Sequence, residues 1–467
     1  MSIQLSGIDY GVIGIYFLLL MVVGFFAKLK TNSSEGYLLG GRKLTLPLFV
    51  MTLTSSWYGG ILGVGEFTYL YGFSNWVIQG LPYYVFAVVF AFLLARKIRS
   101  NQHISLPDQV EAVYGKKAAM LASTWVFFLS SPAPYILMFS VLLQTLSGWS
   151  PWFCMLIGLV FSTVYLFKGG FLSDLYTDIF EFVLMYLGFA VLLFFSVKSF
   201  GGLGFLKSNL PHLHQTWHGG NSIQFIVVWF FIALWTLVEP SFYQRCAAAK
   251  NEKTAFKGIL SSIVFWFIFD CMSISTALYA KAAFPDLKNA LWTYPILAKN
   301  ILPAGLVGVF WVAMFAVVMS TLNTTGFISG MSLGKDILGR LTYFKRYSET
   351  QLTKLGLIIS LLFAASLALY VPSVIQLWYS IASVMVPGLL IPVLGCYYPK
   401  LRYPQQTAVY VMLAAPIVSF LSLSIGWWQE FGSYEHYPLG LEPMYPGLIL
   451  SLGALLILRL SHKQKTN

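Results

Sequence analysis

The chain has 467 residues, of which 58% are hydrophobic and 10% are charged. Soluble proteins carry about a quarter charged residues, so this composition excludes a soluble protein and leaves no room for a separate soluble domain of ordinary size. Apolar runs long enough to cross a bilayer as helices recur from end to end, which predicts an all-α integral membrane protein.

Thirteen membrane spans are predicted along the chain. They cover residues 8–28, 44–72, 75–96, 118–147, 150–167, 170–197, 222–244, 255–280, 304–333, 353–371, 373–396, 406–427 and 441–459. The first span is expected to be retained rather than removed as a signal peptide, because no basic region precedes it and no small-residue cleavage pattern follows it.

The net charge of +12 follows from an uneven distribution of Lys and Arg between alternate loops. With the N-terminus outside, five of the 29 basic residues fall in outer loops, and these are Lys198, Lys207, Lys281, Lys288 and Lys299. All the others fall in inner loops, among them Arg245 after the seventh span. This bias predicts a multi-pass plasma-membrane protein with its N-terminus outside and its C-terminus inside. The basic charge therefore requires no nucleic-acid partner.

Two spans are interrupted in their middle. The second contains SSWYGG at residues 55–60, and the seventh contains VEPS at residues 238–241. Each glycine weakens a helix by about 1 kcal/mol, and proline removes a backbone donor and clashes with the preceding turn. The interrupted spans begin two five-span units that cross the membrane in opposite directions. Paired breaks of this kind indicate a secondary transporter with a midplane site, although glycine and proline also serve ordinary helix packing.

The ninth span carries a cluster of side-chain oxygens at residues 320–325, with the sequence STLNTT. Ser320, Thr321 and Thr324 share one helical face, because positions three and four apart are neighbours. Together with carbonyls freed at the first break, these hydroxyls suit a sodium ion. The alternative is that they bond to carbonyls one turn earlier or join neighbouring helices.

Several carboxylates lie within the predicted spans. Burying a carboxylate in a membrane is costly, so Asp178, Glu239 and Glu66 are candidates for ion or substrate contact, with a structural role as the alternative for the two glutamates. Glu181 is expected to reach the cytoplasmic surface, and Asp270 is expected to be structural. No Lys or Arg falls in the middle of a predicted span, which argues against a substrate with two negative charges. No nucleophile, base or metal-ligand arrangement of an enzyme is present.

The sequence resembles the sodium:solute symporter family, which includes proline, pantothenate, sialic acid and sugar symporters. Residues 165–173 (YLFKGGFLS) resemble its glycine-glycine signature, although Leu166 replaces the usual small residue. Residues 244–250 (QRCAAAK) resemble its inner loop after the broken span, and residues 320–337 resemble its sodium-site helix and the exit from it.

The resemblance covers nearly the whole chain and implies a LeuT-type fold. In that fold a 5+5 inverted repeat is preceded by one extra helix and followed by two. The repeats would be residues 44–200 and 201–400, within one transporter domain. Residues 1–43 would form the extra first helix and inner loop, and residues 401–467 would form the two added helices and the tail.

The resemblance also implies positions for the ion and the solute. The main sodium site would use the side chains of Ser320 and Thr321, the carbonyl of Val317, and carbonyls near Ser55 and Tyr58. A second sodium site would use Asp178 and Thr324, although Asn323 stands where some members have serine. The solute pocket would lie between the two breaks, with Tyr58, Gly59, Gly60, Glu66, Ser131, Trp235, Glu239, Phe242, Trp378 and Ser380 as candidates.

The predicted function is secondary active transport by alternating access. Inward sodium flux would drive uptake of a small polar organic solute, such as a sugar, cyclitol, amino acid or monocarboxylate. The expected cofactor is the sodium ion, and the expected partners are the solute and the lipid bilayer. The same fold could instead couple to protons through Glu239, Asp178 or Glu66, or serve as a transporter-like sensor. A single chain is expected to function alone, although the sequence leaves the oligomeric state open.

Overall fold

The computed structural model describes residues 4–27, 33–371, 373–427 and 437–466. These ranges are almost entirely helical, and the strand pairing within them is one isolated bridge between Leu44 and Ala249. The main helices are α1 (Gly7–Phe26), α2 (Leu46–Ser55), α3 (Ile61–Tyr71), α4 (Trp76–Ser100), α5 (Leu106–Leu129), α6 (Ala133–Ser147), α7 (Pro151–Gly169), α8 (Phe171–Phe200), α9 (Ile223–Ile232), α10 (Pro240–Ala248), α11 (Glu252–Ala283), α12 (Leu306–Met331), α13 (Glu349–Tyr370), α14 (Val374–Tyr397), α15 (Gln405–Trp427) and α16 (Met444–Thr466).

Twelve helical segments of the described ranges are long and apolar enough to cross a membrane. One of them joins α5 to α6, and another joins α9 to α10 through the second break. The second predicted span is present as α2 and α3, which are each too short to cross a bilayer alone. The thirteen predicted spans therefore correspond to twelve long segments and one broken pair.

The first break lies between α2 and α3. It contains Gly59 and Gly60, which allow close packing. A Cβ atom on Gly59 would lie 2.4 Å from the Cβ atom of Thr321, and one on Gly60 would lie 1.7 Å from the Trp378 ring. The backbone of the break thus approaches α12 and α14 more closely than any side chain would permit.

The second break lies between α9 and α10. After α9 the chain tightens into a 3-10 segment, Ala233–Val238, and Glu239 then adopts an extended conformation. Pro240 occupies the first position of α10, where its missing N–H costs nothing. The Glu239 carboxylate accepts a hydrogen bond from the Ser241 N–H at 3.2 Å and caps this helix. The break therefore places an acidic side chain at the positive end of α10.

Almost every residue of α12 is buried, including its hydroxyl-rich segment. The helix packs against α8, α13 and α1. Its N-terminal end is held by Asp9 of α1, whose Oδ1 accepts hydrogen bonds from Gly305 N at 2.8 Å and Gly308 N at 2.7 Å. A helix from outside the predicted repeats is thus fixed to the centre of the fold.

An ionic cluster fixes the other end of α12 to the start of α5. Lys335 Nζ lies 2.6 Å from Asp108 Oδ2 and 2.8 Å from Asp336 Oδ1. Arg340 pairs with Asp108 at 2.9 Å and with Glu111 at 2.8 Å. Lys335 and Asp336 are buried, whereas the side chains of Asp108 and Glu111 are 22% and 41% exposed, so the pairs that join the two helix ends are only partly shielded from water.

Candidate functional site

The hydroxyl face of α12 contacts carboxylates of α8. Ser320 Oγ donates to Asp178 Oδ1 at 2.6 Å, and Thr324 Oγ1 donates to Asp174 Oδ2 at 2.9 Å. Thr321 Oγ1 instead donates to the Val317 carbonyl one turn earlier, at 3.3 Å. The oxygen-rich segment therefore faces a polar cluster inside the protein rather than lipid.

A buried guanidinium completes this cluster. Arg245 Nη2 donates to Asp178 Oδ2 at 2.9 Å, to Thr324 Oγ1 at 3.1 Å and to the Thr52 carbonyl at 3.2 Å. The same nitrogen lies 4.0 Å from Asp174. All of these side chains are fully buried, so the charges interact without solvent screening. Arg245 lies on α10, after the second break, and its bonds reach α2, before the first break. It thus joins both helices to the surface along which α8 and α12 contact each other.

Two sequence-based predictions about this region are wrong. Arg245 was expected in an inner loop, but α10 continues to Ala248 and carries it into the interior. Glu181 was expected at the cytoplasmic surface, but it is fully buried and accepts a hydrogen bond from the Tyr16 hydroxyl at 3.1 Å. Asp174 was missed altogether, although its spacing of four residues from Asp178 places the two on one helical face.

Of the residues predicted for the main sodium site, Thr321 contacts the first break directly, whereas the Ser320 hydroxyl is bonded to Asp178 of α8. Ser55 is fully buried, and its hydroxyl donates to a carbonyl one turn earlier at 3.3 Å. Gly59, the neighbour of Tyr58, packs directly against Thr321. Thr321 in turn reaches the carbonyl of Val317. An ion bound to both the first break and α12 would require the contact between Gly59 and Thr321.

A cavity of about 150 Å³ lies between the two breaks. Its aromatic lining residues are Trp57, Tyr58, Tyr83, Tyr84, Tyr135, Trp229, Trp235 and Trp378. Its uncharged polar lining residues are Ser56, Asn75, Gln79, Ser241, Thr321, Thr324 and Thr325. Two acids, Glu239 and Asp270, complete the polar part of the wall. A cavity of this size is smaller than the usual pocket for a drug-sized ligand and suits a small solute.

The cavity brings together some of the predicted pocket residues and leaves others outside. Those that line it are Tyr58, Gly60, Trp235, Glu239 and Trp378. Those that do not line it are Gly59, Glu66, Ser131, Phe242 and Ser380. Gly59 faces Thr321 instead, and Phe242 is fully buried between the rings of Trp57 and Phe90. Residues immediately beside a break can therefore point away from the space that the break creates.

Several lining residues were not found from the sequence. Asp270 was expected to be structural, but it lies in the cavity wall and accepts a hydrogen bond from the Tyr84 hydroxyl. Gln79 and Tyr83 of α4 also line the cavity, and their spacing of four residues in WVIQGLPYY was an available signal of a shared polar face. Trp57 lies inside the predicted break itself.

Comparisons with known proteins agree with this architecture. A model of the sodium:solute symporter family matches residues 37–413. The sodium/pantothenate symporter of Escherichia coli is 24% identical over 473 residues, covering 95% of this chain and 94% of the relative. The human high affinity choline transporter 1 is 23% identical over 419 residues, covering 82% of this chain and 71% of the relative.

The solved structures agree on the fold. The substrate-bound, outward-open structure of a Na⁺-coupled sialic acid symporter superposes with a TM-score of 0.78 at 15% identity, covering 97% of this chain and 96% of the other. The predicted LeuT-type fold is thereby confirmed, whereas the residue bounds of the two repeats stay a prediction. The family model spans most of the chain, and the chain belongs to the sodium:solute symporter family as a multi-pass membrane transporter, not an enzyme, that couples solute uptake to sodium.

Proposed function

We propose that the transported sodium ion binds between the first break and α12. Its ligands would be carbonyls near Ser55 and Tyr58, the carbonyl of Val317, and the hydroxyls of Ser320 and Thr321. The observation that carries this proposal is the packing of Gly59 against Thr321, which joins the interrupted backbone to the hydroxyl face. Every donor atom is a neutral oxygen, as suits a monovalent hard cation in a site that must also release it.

The solute would bind in the cavity between the breaks. Thr321 belongs both to the cavity wall and to the proposed ion site, so occupation of one site changes the surroundings of the other. Such a shared residue supports reciprocal coupling between sodium and solute. With the N-terminus outside, sodium would enter from the outer side and favour the outward-open state. At a membrane potential of −100 mV each entering ion contributes about 2.3 kcal/mol.

One sodium ion per cycle is the stoichiometry that we propose. Arg245 donates hydrogen bonds to both Asp178 and Thr324, which are the two residues predicted to hold a second ion. The guanidinium already supplies the positive charge that a second sodium would bring to these oxygens. Uptake measured against sodium concentration should therefore give a Hill coefficient of about 1. A coefficient near 2 would place a second ion in the cycle.

Proton coupling is a second candidate, because one observation favours it. Asp174, Asp178 and Glu181 are all fully buried on α8, whereas Arg245 is the one basic side chain paired with them in the described part of the chain. Acids in excess of their cationic partners bind protons more readily. Uptake that persists without sodium and follows an imposed pH gradient would favour this candidate.

The test of the sodium site compares the thermal stability of purified protein in sodium and in potassium. A ligand at 100 times its Kd stabilises the folded state by about 2.7 kcal/mol, so sodium should raise the melting temperature of the wild-type protein. Ser320→Ala and Thr321→Ala should each remove this difference. Ser329→Ala is the matched control, since Ser329 is a buried serine on the same helix that donates to the Phe127 carbonyl. Equal sodium responses in Ser320→Ala and Ser329→Ala would refute the assignment.

A further inference from the structure

The cavity between the breaks is lined by two acids that form no ion pair, although Arg245 lies behind the lining residue Thr324. Glu239 accepts a hydrogen bond from the Ser241 backbone, and Asp270 accepts one from the Tyr84 hydroxyl. Neither acid belongs to an ion pair within residues 4–27, 33–371, 373–427 and 437–466. No Lys or Arg lines the cavity in these ranges. The wall therefore contains two acidic groups, and a positively charged occupant would balance the charge that they carry when ionised.

The same wall is built largely from aromatic rings. Four tyrosines and four tryptophans line the cavity. Some of these rings pair with each other: the centroids of Trp57 and Tyr83 lie 5.5 Å apart, and those of Tyr135 and Trp378 lie 6.3 Å apart. The faces of aromatic rings attract organic cations, most strongly in a site shielded from water. Rings and carboxylates in one small cavity thus favour the same kind of occupant.

We propose that the transported solute is a small organic cation, either an amine or a quaternary ammonium compound. Its charged head would lie among the rings and pair with Asp270 and Glu239. This inference rests on the proposed function, because it names the solute class of the sodium-coupled cavity. It departs from the set predicted from the sequence, which comprised sugars, cyclitols, amino acids and monocarboxylates.

Other solute classes match the wall less well. A monocarboxylate would face two acids and meet no basic side chain among the described lining residues. A sugar or cyclitol could donate hydroxyl hydrogen bonds to the acids, but it would leave their charge unbalanced. An amino acid could use its ammonium group here, but its own carboxylate would depend on sodium or on a helix N-terminus.

The test uses a pair of ligands that differ in charge. Choline and 3,3-dimethylbutan-1-ol have nearly the same shape, but only choline carries a positive charge. In sodium, choline or tetramethylammonium should raise the melting temperature of the wild-type protein, and the neutral alcohol should bind at least tenfold more weakly. The panel also contains methylamine, glycine betaine, myo-inositol and pantothenate, which represent the primary amine, zwitterionic, neutral and anionic classes.

Substitutions at three positions of the cavity wall assign the effect to that wall. Asp270→Asn and Glu239→Gln should each weaken cation binding at least tenfold while the response to sodium remains. Glu66→Gln is the matched control, because Glu66 is a partly buried acid of α3 that does not line the cavity. Trp235→Phe should keep cation binding and Trp235→Leu should weaken it, since only the former retains a ring. The retained sodium response shows that each variant is folded.

The outcomes separate this inference from the proposed function. If sodium stabilises the protein through Ser320 but no cation of the panel adds to it, the solute class is wrong and the sodium site stands. Stabilisation by betaine, inositol or pantothenate in preference to choline, tetramethylammonium and methylamine would also overturn the solute class. If sodium and potassium are equivalent, the proposed function fails first. Equal binding of choline and its neutral analogue would refute the role of charge.

Discussion

Replacing Arg245 by glutamine should destabilise the protein strongly. The substitution removes three hydrogen bonds of 2.9 to 3.2 Å from one guanidinium nitrogen and leaves Asp178 as a buried acid without its cationic partner. Both side chains of this pair are 0% exposed. Breaking a buried ion pair by removing one partner costs about 3–5 kcal/mol, because the remaining charge is left uncompensated. Arg245→Gln should lower the free energy of unfolding by that amount.

The assay is unfolding of the purified protein by SDS titration in mixed micelles. Arg346→Gln is the matched control, since Arg346 is exposed and its recorded contacts in the described ranges are with the rings of Tyr343 and Tyr347. That variant should cost no more than about 1 kcal/mol. The double variant Arg245→Gln with Asp178→Asn should lose less than the sum of the single variants, with a coupling energy of about 1–3 kcal/mol.

Two results would refute this reasoning. The first is a cost of Arg245→Gln as small as that of Arg346→Gln, which would mean that the guanidinium is not the buried partner of Asp178. The second is strict additivity in the double variant, which would mean that the two side chains do not interact. Either result would also remove the argument for one sodium per cycle, because that argument depends on this contact.

Other features of the fold lead to further predictions. Gly60→Ala should destabilise the protein by about 1–3 kcal/mol and abolish transport, because its new methyl group would collide with the ring of Trp378. Gly63→Ala, whose Cβ would lie 3.4 Å from the same ring, should be tolerated in the same uptake and unfolding assays. Asp9→Ala should cost about 1–2 kcal/mol in the unfolding assay, since it removes the cap of α12 and the capping box with Ser6 at the start of α1, and an unchanged stability would contradict both roles. Burial lowers the pKa of His214, and the positive charge of Lys281 lowers it further. A hydrogen bond with the Tyr69 backbone acts in the opposite direction but does not cancel these effects. Because the unfolded state then binds a proton more readily than the folded state, stability should fall as pH drops below about 6.5, and His214→Gln should flatten this profile between pH 5 and 7.5.

The fold could be predicted from the sequence because each of its features is local. Length and hydropathy define the spans, and a glycine pair or a proline marks a break at the residue where it occurs. The face formed by Ser320, Thr321 and Thr324 follows from helical spacing alone. These signals require no knowledge of which helices are neighbours.

The partners of these residues could not be predicted, because they depend on packing. The buried position of Arg245 depends on how far α10 continues after Pro240, and a pattern of basic residues is equally consistent with an inner loop. Asp270 has the same local sequence character whether it faces a cavity or a neighbouring helix. The burial of Glu181 depends on the Tyr16 hydroxyl of α1, which is 165 residues away in the chain. Tertiary contacts of this kind decide which acid becomes a binding group.

The anchoring of α1 has a consequence for the transport cycle. Asp9 holds the N-terminal end of α12, and Tyr16 holds Glu181 at the middle of α8. Together with the hydroxyl–carboxylate bonds between α8 and α12, these contacts join the three helices into one block. In the proposed sodium site, the two hydroxyls and the Val317 carbonyl belong to this block, whereas the carbonyls near Ser55 and Tyr58 belong to the broken helix. If alternating access moves the broken helix relative to this block, the proposed sodium ion would lie across the moving boundary, beside the link that Arg245 makes from Thr52 to Asp178 and Thr324.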